Sequence, residues 1–211
     1  MTLHLKASQL SEWVTRDAAR TRRYLFGIAG PPGSGKSTIT RRLAEDLDAP
    51  VVEMDGFHLP NAELDARGLR NVKGAPETFD GAGFVDLVER LRSADVDVLA
   101  PRFDRRRDKA LADAVRVTRD ARVVLLEGNY ILLDEPPWSR LATLLDATCY
   151  VHVGEDELRR RLIRRHMRFG RTQSEAANFV DRSDLANACR VTATESRADI
   201  IVEQDREGIA R

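Results

Sequence analysis

The segment that most constrains this chain is Gly30-Pro31-Pro32-Gly33-Ser34-Gly35-Lys36-Ser37-Thr38. It follows a short apolar run, Tyr24-Leu25-Phe26-Gly27-Ile28-Ala29. It precedes a stretch in which Ile39, Leu43 and Leu47 recur at helical spacing. Strand, glycine-rich turn, Gly-Lys-Ser and helix, in that order, make the G-x-x-x-x-G-K-[ST] pattern in full. The glycines let the backbone bend so that successive N–H groups point inward, where they meet phosphate oxygens. The helix that begins near Lys36 adds its positive N-terminal end. Lys36 is then placed to reach the β- and γ-phosphates of ATP, and the Ser37 hydroxyl to ligate Mg²⁺. An ordinary glycine turn accounts for less, because both flanking elements stand where a phosphate loop requires them.

The rest of the chain alternates in the same way. Leu10, Trp13, Val14 and Ala18 mark an N-terminal helix over 8–22, and Phe84, Leu87, Val88 and Leu91 another. Val51–Met54, Val96–Leu99 (stopped by Pro101), Val123–Leu126, Cys149–Val153 and Ala198–Val202 read as short buried strands, with Val115–Val117 as a small extra one. A helix is predicted from near Asp156 to Gly170. The capping-box pattern Thr172-x-x-Glu175 opens a further one through about Cys189. Short strands alternating with longer helices predict an α/β fold: a parallel sheet with helices on both faces, in which ligands sit at the carboxyl ends of the strands. With no repeat and no low-complexity linker, residues 1–211 read as one domain, with a lid-like helical region at 155–171.

Those strand ends carry chemistry. Asp55 stands at the end of the second strand in Met54-Asp55-Gly56-Phe57-His58-Leu59-Pro60-Asn61. Transfer of a phosphoryl group to an alcohol needs a group that orients the hydroxyl and accepts its proton, and Asp55 is the candidate; the alternative is a turn Asp before a glycine. His58 either lines the acceptor pocket or caps the loop. Glu127 ends the apolar run Val123–Leu126, the Walker-B arrangement. It either holds Mg²⁺, directly or through water, or is a strand-end acid facing solvent. Arg161, Arg164, Arg165 and Arg168 share one helical face. They form a lid over the nucleotide, a solvated basic helix, or, least favoured, a nucleic-acid patch.

Charge and cysteine usage narrow the classes further. Lys plus Arg number 34 and Asp plus Glu 34, so the chain is formally neutral, unlike a dedicated nucleic-acid or anionic-membrane binder. Cys149 and Cys189 have no metal-type spacing. No apolar run approaches the roughly 18 residues of a membrane span. The polar N-terminus lacks a secretory core, so the expected compartment is the cytoplasm. The guanine-reading N-K-x-D tetrad and the L-S-G-G-Q stretch of transport ATPases are both absent.

The cradle, M-D-G-F-H-L-P-N, K-G-A-P-E-T-F-D, P-x-F-D-R, E-G-N-Y-I-L-L-D and R-R-L-x-x-R-H, in this order over about residues 24–203, resemble the uridine kinase / phosphoribulokinase / bacterial pantothenate kinase group of P-loop kinases. The likeness is nearest to the subgroup labelled fructose transport system kinase, or nucleoside/nucleotide kinase. The resemblance implies ATP- and Mg²⁺-dependent phosphorylation of a small hydroxyl-bearing metabolite: a sugar such as fructose, a nucleoside, or a pantothenate-like acceptor. It implies Asp55 as catalytic base and Arg161 and Arg164 as lid residues. It places Lys73, Asp80, Phe103, Arg105 and Tyr130 on the acceptor side. Where the group has Arg-Lys-Gly this chain has Val72-Lys73-Gly74, leaving the basic acceptor contact open between Arg70 and Lys73. The N-terminal helix lies outside the resemblance and reads as a packing or homodimer element. The rival from another class is a regulatory protein whose bound ATP switches a partner interaction without transfer to any metabolite.

Overall fold

The computed structural model describes residues 2–204, so the two ends of the 1–211 span, residue 1 and residues 205–211, lie outside the described residues. Among the described residues, eight strands and eight α-helices run in the order β1 (Leu3–Lys6), α1 (Leu10–Ala18), β2 (Tyr24–Ala29), α2 (Lys36–Leu47), β3 (Val51–Glu53), α3 (Asn61–Ala66), α4 (Gly81–Ser93), β4 (Val98–Asp104), β5 (Lys109–Val117), β6 (Val123–Glu127), α5 (Leu141–Leu144), β7 (Ala147–Val151), α6 (Glu155–Arg168), α7 (Gln173–Phe179), α8 (Leu185–Thr192) and β8 (Ile200–Glu203). Six strands form one parallel sheet in the order β1-β8-β7-β2-β6-β3. β2 lies in its middle and is buried throughout. Its alternating side chains split between two faces. Tyr24, Phe26 and Ile28 pack with Leu10 and Val14 of α1 and with Ile39 and Leu43 of α2. Leu25 and Ala29 pack with Phe84, Leu87, Val88 and Leu91 of α4. Helices therefore cover both faces, in the α/β fold of P-loop nucleotide-binding proteins.

Three elements depart from what the patterning predicts. The N-terminal helix is shorter than 8–22, and a strand precedes it. β1 is largely exposed and joins the sheet only by pairing with β8, so it carries no apolar signal. Leu10, Val14 and Ala18 are buried against the sheet, which gives α1 a packing role. The run at Val96–Leu99 is not a strand of the parallel sheet. β4 continues through Pro101 to Asp104 and pairs antiparallel with β5, with a register shift between Ala100 and Arg102. Proline is tolerated in a strand at such an irregularity. The Thr172–Glu175 capping box forms, with Glu175 accepting from Thr172 N–H at 2.9 Å. The helix it opens is interrupted by a π-turn over Val180–Asp184 before α8.

Among the described residues no helix is long and apolar enough to cross a membrane.

Candidate functional site

The loop after β2 closes against α2. Gly35 caps α2 at φ 95°, a left-handed conformation that suits glycine, and turns the first N–H groups of the helix toward the loop's interior. Ser34 is buried within the loop, and its hydroxyl has no hydrogen-bond partner. A buried orphan hydroxyl beside a helix N-terminus is what a bound phosphate oxygen would satisfy. Lys36 is buried too. Its Nζ donates to Asn129 Oδ1 at 2.8 Å and to the Pro31 carbonyl at 3.4 Å, and lies 4.0 Å from Glu127 Oε1. Burial lowers the Lys36 pKa, while Glu127 and Asp55 oppose that shift. The Ser37 hydroxyl donates to Glu127 Oε1 at 3.1 Å. A hydroxyl and a carboxylate so placed are the hard oxygen donors that Mg²⁺ prefers. Among the described residues no group of three or more His, Cys, Asp or Glu could hold a metal by itself. A divalent cation at Ser37 and Glu127 would therefore draw its remaining ligands from phosphate oxygens and water. The residues present fit Mg·ATP.

Asp55 lies in the 3₁₀ turn that follows β3. Its carboxylate is not turned into the core: the side chain is 29% exposed, and Oδ2 accepts from Arg105 Nη2 at 2.7 Å. Arg105 reaches it from the turn of the β4–β5 hairpin. That hairpin docks on the backbone of Gly56, where a Cβ would sit 2.5 Å from the Pro101 carbonyl oxygen. Gly56→Ala is thus expected to push the hairpin away, destabilising the fold by about 1–3 kcal/mol. It should also lower turnover beyond what lost stability explains. Denaturant midpoints and rates measured on the folded variant check this; unchanged rates would uncouple the hairpin from the reaction.

The His58 ring lies between Phe79 and Phe103, at centroid distances of 4.0 and 4.8 Å. Its Nδ1–H donates to the Asp55 carbonyl at 2.9 Å, which makes Nδ1 the protonated nitrogen of the neutral ring. Burial depresses its pKa and favours that neutral form. His58 thus helps hold the turn carrying Asp55 as well as bordering the space before it. Lys73 reaches the same wall. Its Nζ lies 5.5 Å from the Phe103 ring centroid and donates to Asn61 Oδ1 and Asp108 Oδ1 at 2.9 and 2.8 Å. Arg70 instead faces Asp65 at 3.5 Å on the exposed side. Of the two cations left open by the sequence, Lys73 is the one against the aromatic wall. Asp80 is the N-cap of α4, accepting from Gly83 N–H at 2.9 Å. Tyr130 is buried, and its hydroxyl donates to the Gly74 carbonyl at 2.6 Å. Tyr130 thus holds the loop before α4 from behind, and Asp80 closes that loop as the helix cap.

The arginine helix α6 lies directly over the cradle. Leu158 and Leu162 pack beside Gly33 and join Val180 and Ala188 in a separate small core. Arg161 donates to the Ser34 carbonyl at 3.2 Å, to Glu157 at 2.7 Å and to Gln204 at 2.8 Å; Gln204 also donates to the Ser34 carbonyl. Arg164 is not brought to the cradle: its side chain is 61% exposed and leans on Glu157 at 3.6 Å. Its neighbour Arg165 lies within electrostatic range of Lys36. Solvent reaches Arg165, yet surrounding protein lowers its pKa, and the charges it senses are Arg105, Asp55 and Asp184.

Two further residues escaped the sequence reading. Asn129 holds Lys36 from the loop after β6; it lies within the E-G-N-Y run two residues beyond Glu127, but that run assigns it no role. Glu53 pairs in register with Glu127 on the neighbouring strand, which sets both acids on one face. Burial raises the pKa of each, and Lys36 is the main opposing influence on Glu127.

A family model described as Phosphoribulokinase / Uridine kinase family matches residues 25–208. The uncharacterized protein YggC of Escherichia coli is 41% identical over 195 residues, covering 89% of this chain and 80% of its own. A Schizosaccharomyces pombe protein provisionally named a uridine kinase is 35% identical over 198 residues, covering 87% of this chain and 84% of its own. The crystal structure of a protein from Silicibacter sp. TM1040, provisionally named a fructose transport system kinase, superposes with a TM-score of 0.87 at 39% identity. It covers 93% of this chain and 98% of that one.

Proposed function

Because the chain belongs to the phosphoribulokinase / uridine kinase family, P-loop kinases that phosphorylate a hydroxyl of a small molecule with ATP, we propose that Asp55 and the cradle at residues 30–38 together carry out that transfer here. The observation that carries this reading is the placement of Asp55. Its carboxylate stands outside the core, within the electrostatic reach of Lys36 and fixed in direction by Arg105. Asp55 takes the acceptor's hydroxyl proton while Lys36 and Arg165 face the charge that develops on the transferring group. Bound Mg·ATP supplies the phosphoryl group, and Ser37 and Glu127 hold its cation. Arg161 clamps the cradle through the Ser34 carbonyl, and residues 155–171 act as the lid of a single cytoplasmic kinase domain. Arg164 joins the site only on closure.

The acceptor side is lined by His58, Phe103 and Lys73, a pair of tilted rings beside a cation. That suits a sugar such as fructose, a nucleoside, or a pantothenate-like carboxylate. The names carried by the S. pombe and Silicibacter relatives favour the first two. The test is a transfer assay with Mg·ATP against fructose and other sugars, uridine and other nucleosides, and pantothenate. One of these acceptors is expected to yield ADP and phosphorylated product in equal amounts. Tight ATP binding with slow hydrolysis and no transfer to any acceptor would instead make the protein a nucleotide-dependent regulator.

A further inference from the structure

The central strands have a second end. Before β2 come Thr21, Arg22 and Arg23; before β6 come Arg119, Asp120 and Arg122; and α4 ends in Arg92, Ser93 and Ala94. These residues line an open cleft of about 450 Å³. The cradle lies at the opposite end of β2, a six-residue strand. At about 3.3 Å per residue, the two sites are roughly 20 Å apart.

Five arginines face one aspartate around this cleft, in a chain whose total formal charge is zero. Two of them are already committed. Arg23 is buried and donates to the carbonyls of Leu91, Thr118, Arg119 and Ala121 at 2.7–3.2 Å. Arg92 grips Asp146 at 2.9 and 3.0 Å and the Leu144 carbonyl at 2.7 Å. The other three are exposed and weakly engaged. Arg119 meets Asp120 only at 3.7 Å, and Arg122 reaches the Thr21 carbonyl at 3.4 Å. Among the described residues Arg22 has no ion pair or hydrogen bond. A second, independent feature lies in the same wall: the Thr21 hydroxyl is buried and has no hydrogen-bond partner.

Guanidinium groups in excess of the nearby Asp120 and Asp146 repel one another, and the arrangement becomes favourable when an anion sits among them. Their planar forks match phosphate oxygens, and a hydroxyl donor beside them adds a directed bond. A concavity of this size takes a ligand of small-metabolite dimensions. A polymer such as nucleic acid would call for an extended basic surface, which a neutral chain does not offer.

We propose that this cleft binds a phosphorylated small metabolite, with Arg22, Arg119, Arg122 and the Thr21 hydroxyl on its phosphate, as a site separate from the nucleotide cradle.

Pyrophosphate is the probe. It is titrated calorimetrically into the full chain while a non-hydrolysable ATP analogue saturates the cradle, and the Nε–H NMR signals of Arg22, Arg119 and Arg122 are followed in parallel. The expected result is saturable binding that shifts those three signals. Arg22→Ala/Arg122→Ala should weaken it at least tenfold, and Thr21→Val several-fold. All three side chains lie outside the main cores, and an unchanged melting temperature verifies the fold of each variant. The proposal is overturned if the double variant binds as well as the parent. It is equally overturned if the arginine signals stay still, or if chloride at matched ionic strength reproduces the shifts.

Discussion

Asp55→Asn is expected to lower kcat by about 10²–10⁴, the usual contribution of a positioned general base. ATP affinity should stay close to that of the parent. The substitution is nearly isosteric, and Asn can still accept from Arg105, so the hairpin turn keeps its anchor and the loss reports proton transfer rather than collapse of the loop. Because the aspartate accepts the proton only in the transition state, kcat and kcat/KM should fall together. Steady-state kinetics with the acceptor found in the transfer assay, alongside ATP binding by calorimetry, check this. Near-parental turnover with intact ATP binding would remove Asp55 from the role of base and leave it a turn residue held by Arg105.

Lys36→Met should cost on the order of 10²–10³ in kcat, the scale seen when one preorganised charge-stabilising donor is removed. It should also weaken ATP binding, because Lys36 faces the phosphates in the ground state as well. The structure adds a second consequence. Glu127 is buried, and Lys36 is the main influence holding its pKa down against that burial. Without the lysine, Glu127 should take up a proton more readily, so Mg²⁺ dependence should shift toward higher metal concentration and the defect should be worse at acid pH. Titrating Mg²⁺ at two pH values separates this effect from the simple loss of a phosphate contact. A variant with parental Mg²⁺ dependence at both pH values would show that Lys36 does not govern how Glu127 holds the metal.

How far the sequence could be read differs from residue to residue. Residues 30–38 were legible in full because their conformation is local: glycines at set intervals, a strand on one side and a helix on the other. Asp55 and Glu127 were legible because one closely follows a strand and the other ends one, and parallel strands present their carboxyl ends on one side. The choice among the α6 arginines was not. Arg161, Arg164 and Arg165 share a broad face, and only the seating of Leu158 and Leu162 against Gly33 rotates the helix so that Arg161 meets the Ser34 carbonyl while Arg164 leans on Glu157. Asn129 sits in the E-G-N-Y run, but its role there could not be read, since it is a single contact with a lysine 93 positions earlier in the chain. The hairpin was misread at Pro101 because a proline ordinarily ends a strand, and the docking on Gly56 that makes it part of the site is a tertiary contact.

Spacing along the chain alone thus determined the phosphate cradle, the acids beside it and the parallel sheet beneath them, since each follows from backbone constraints that act over a few residues. Tertiary structure decided which arginine meets the residue 30–38 loop, which cation lies against the Phe103 ring, and that uncommitted arginines surround a cleft at the far end of β2. Those outcomes depend on helix rotation and on the docking of distant segments, set by contacts between residues that no local pattern brings together.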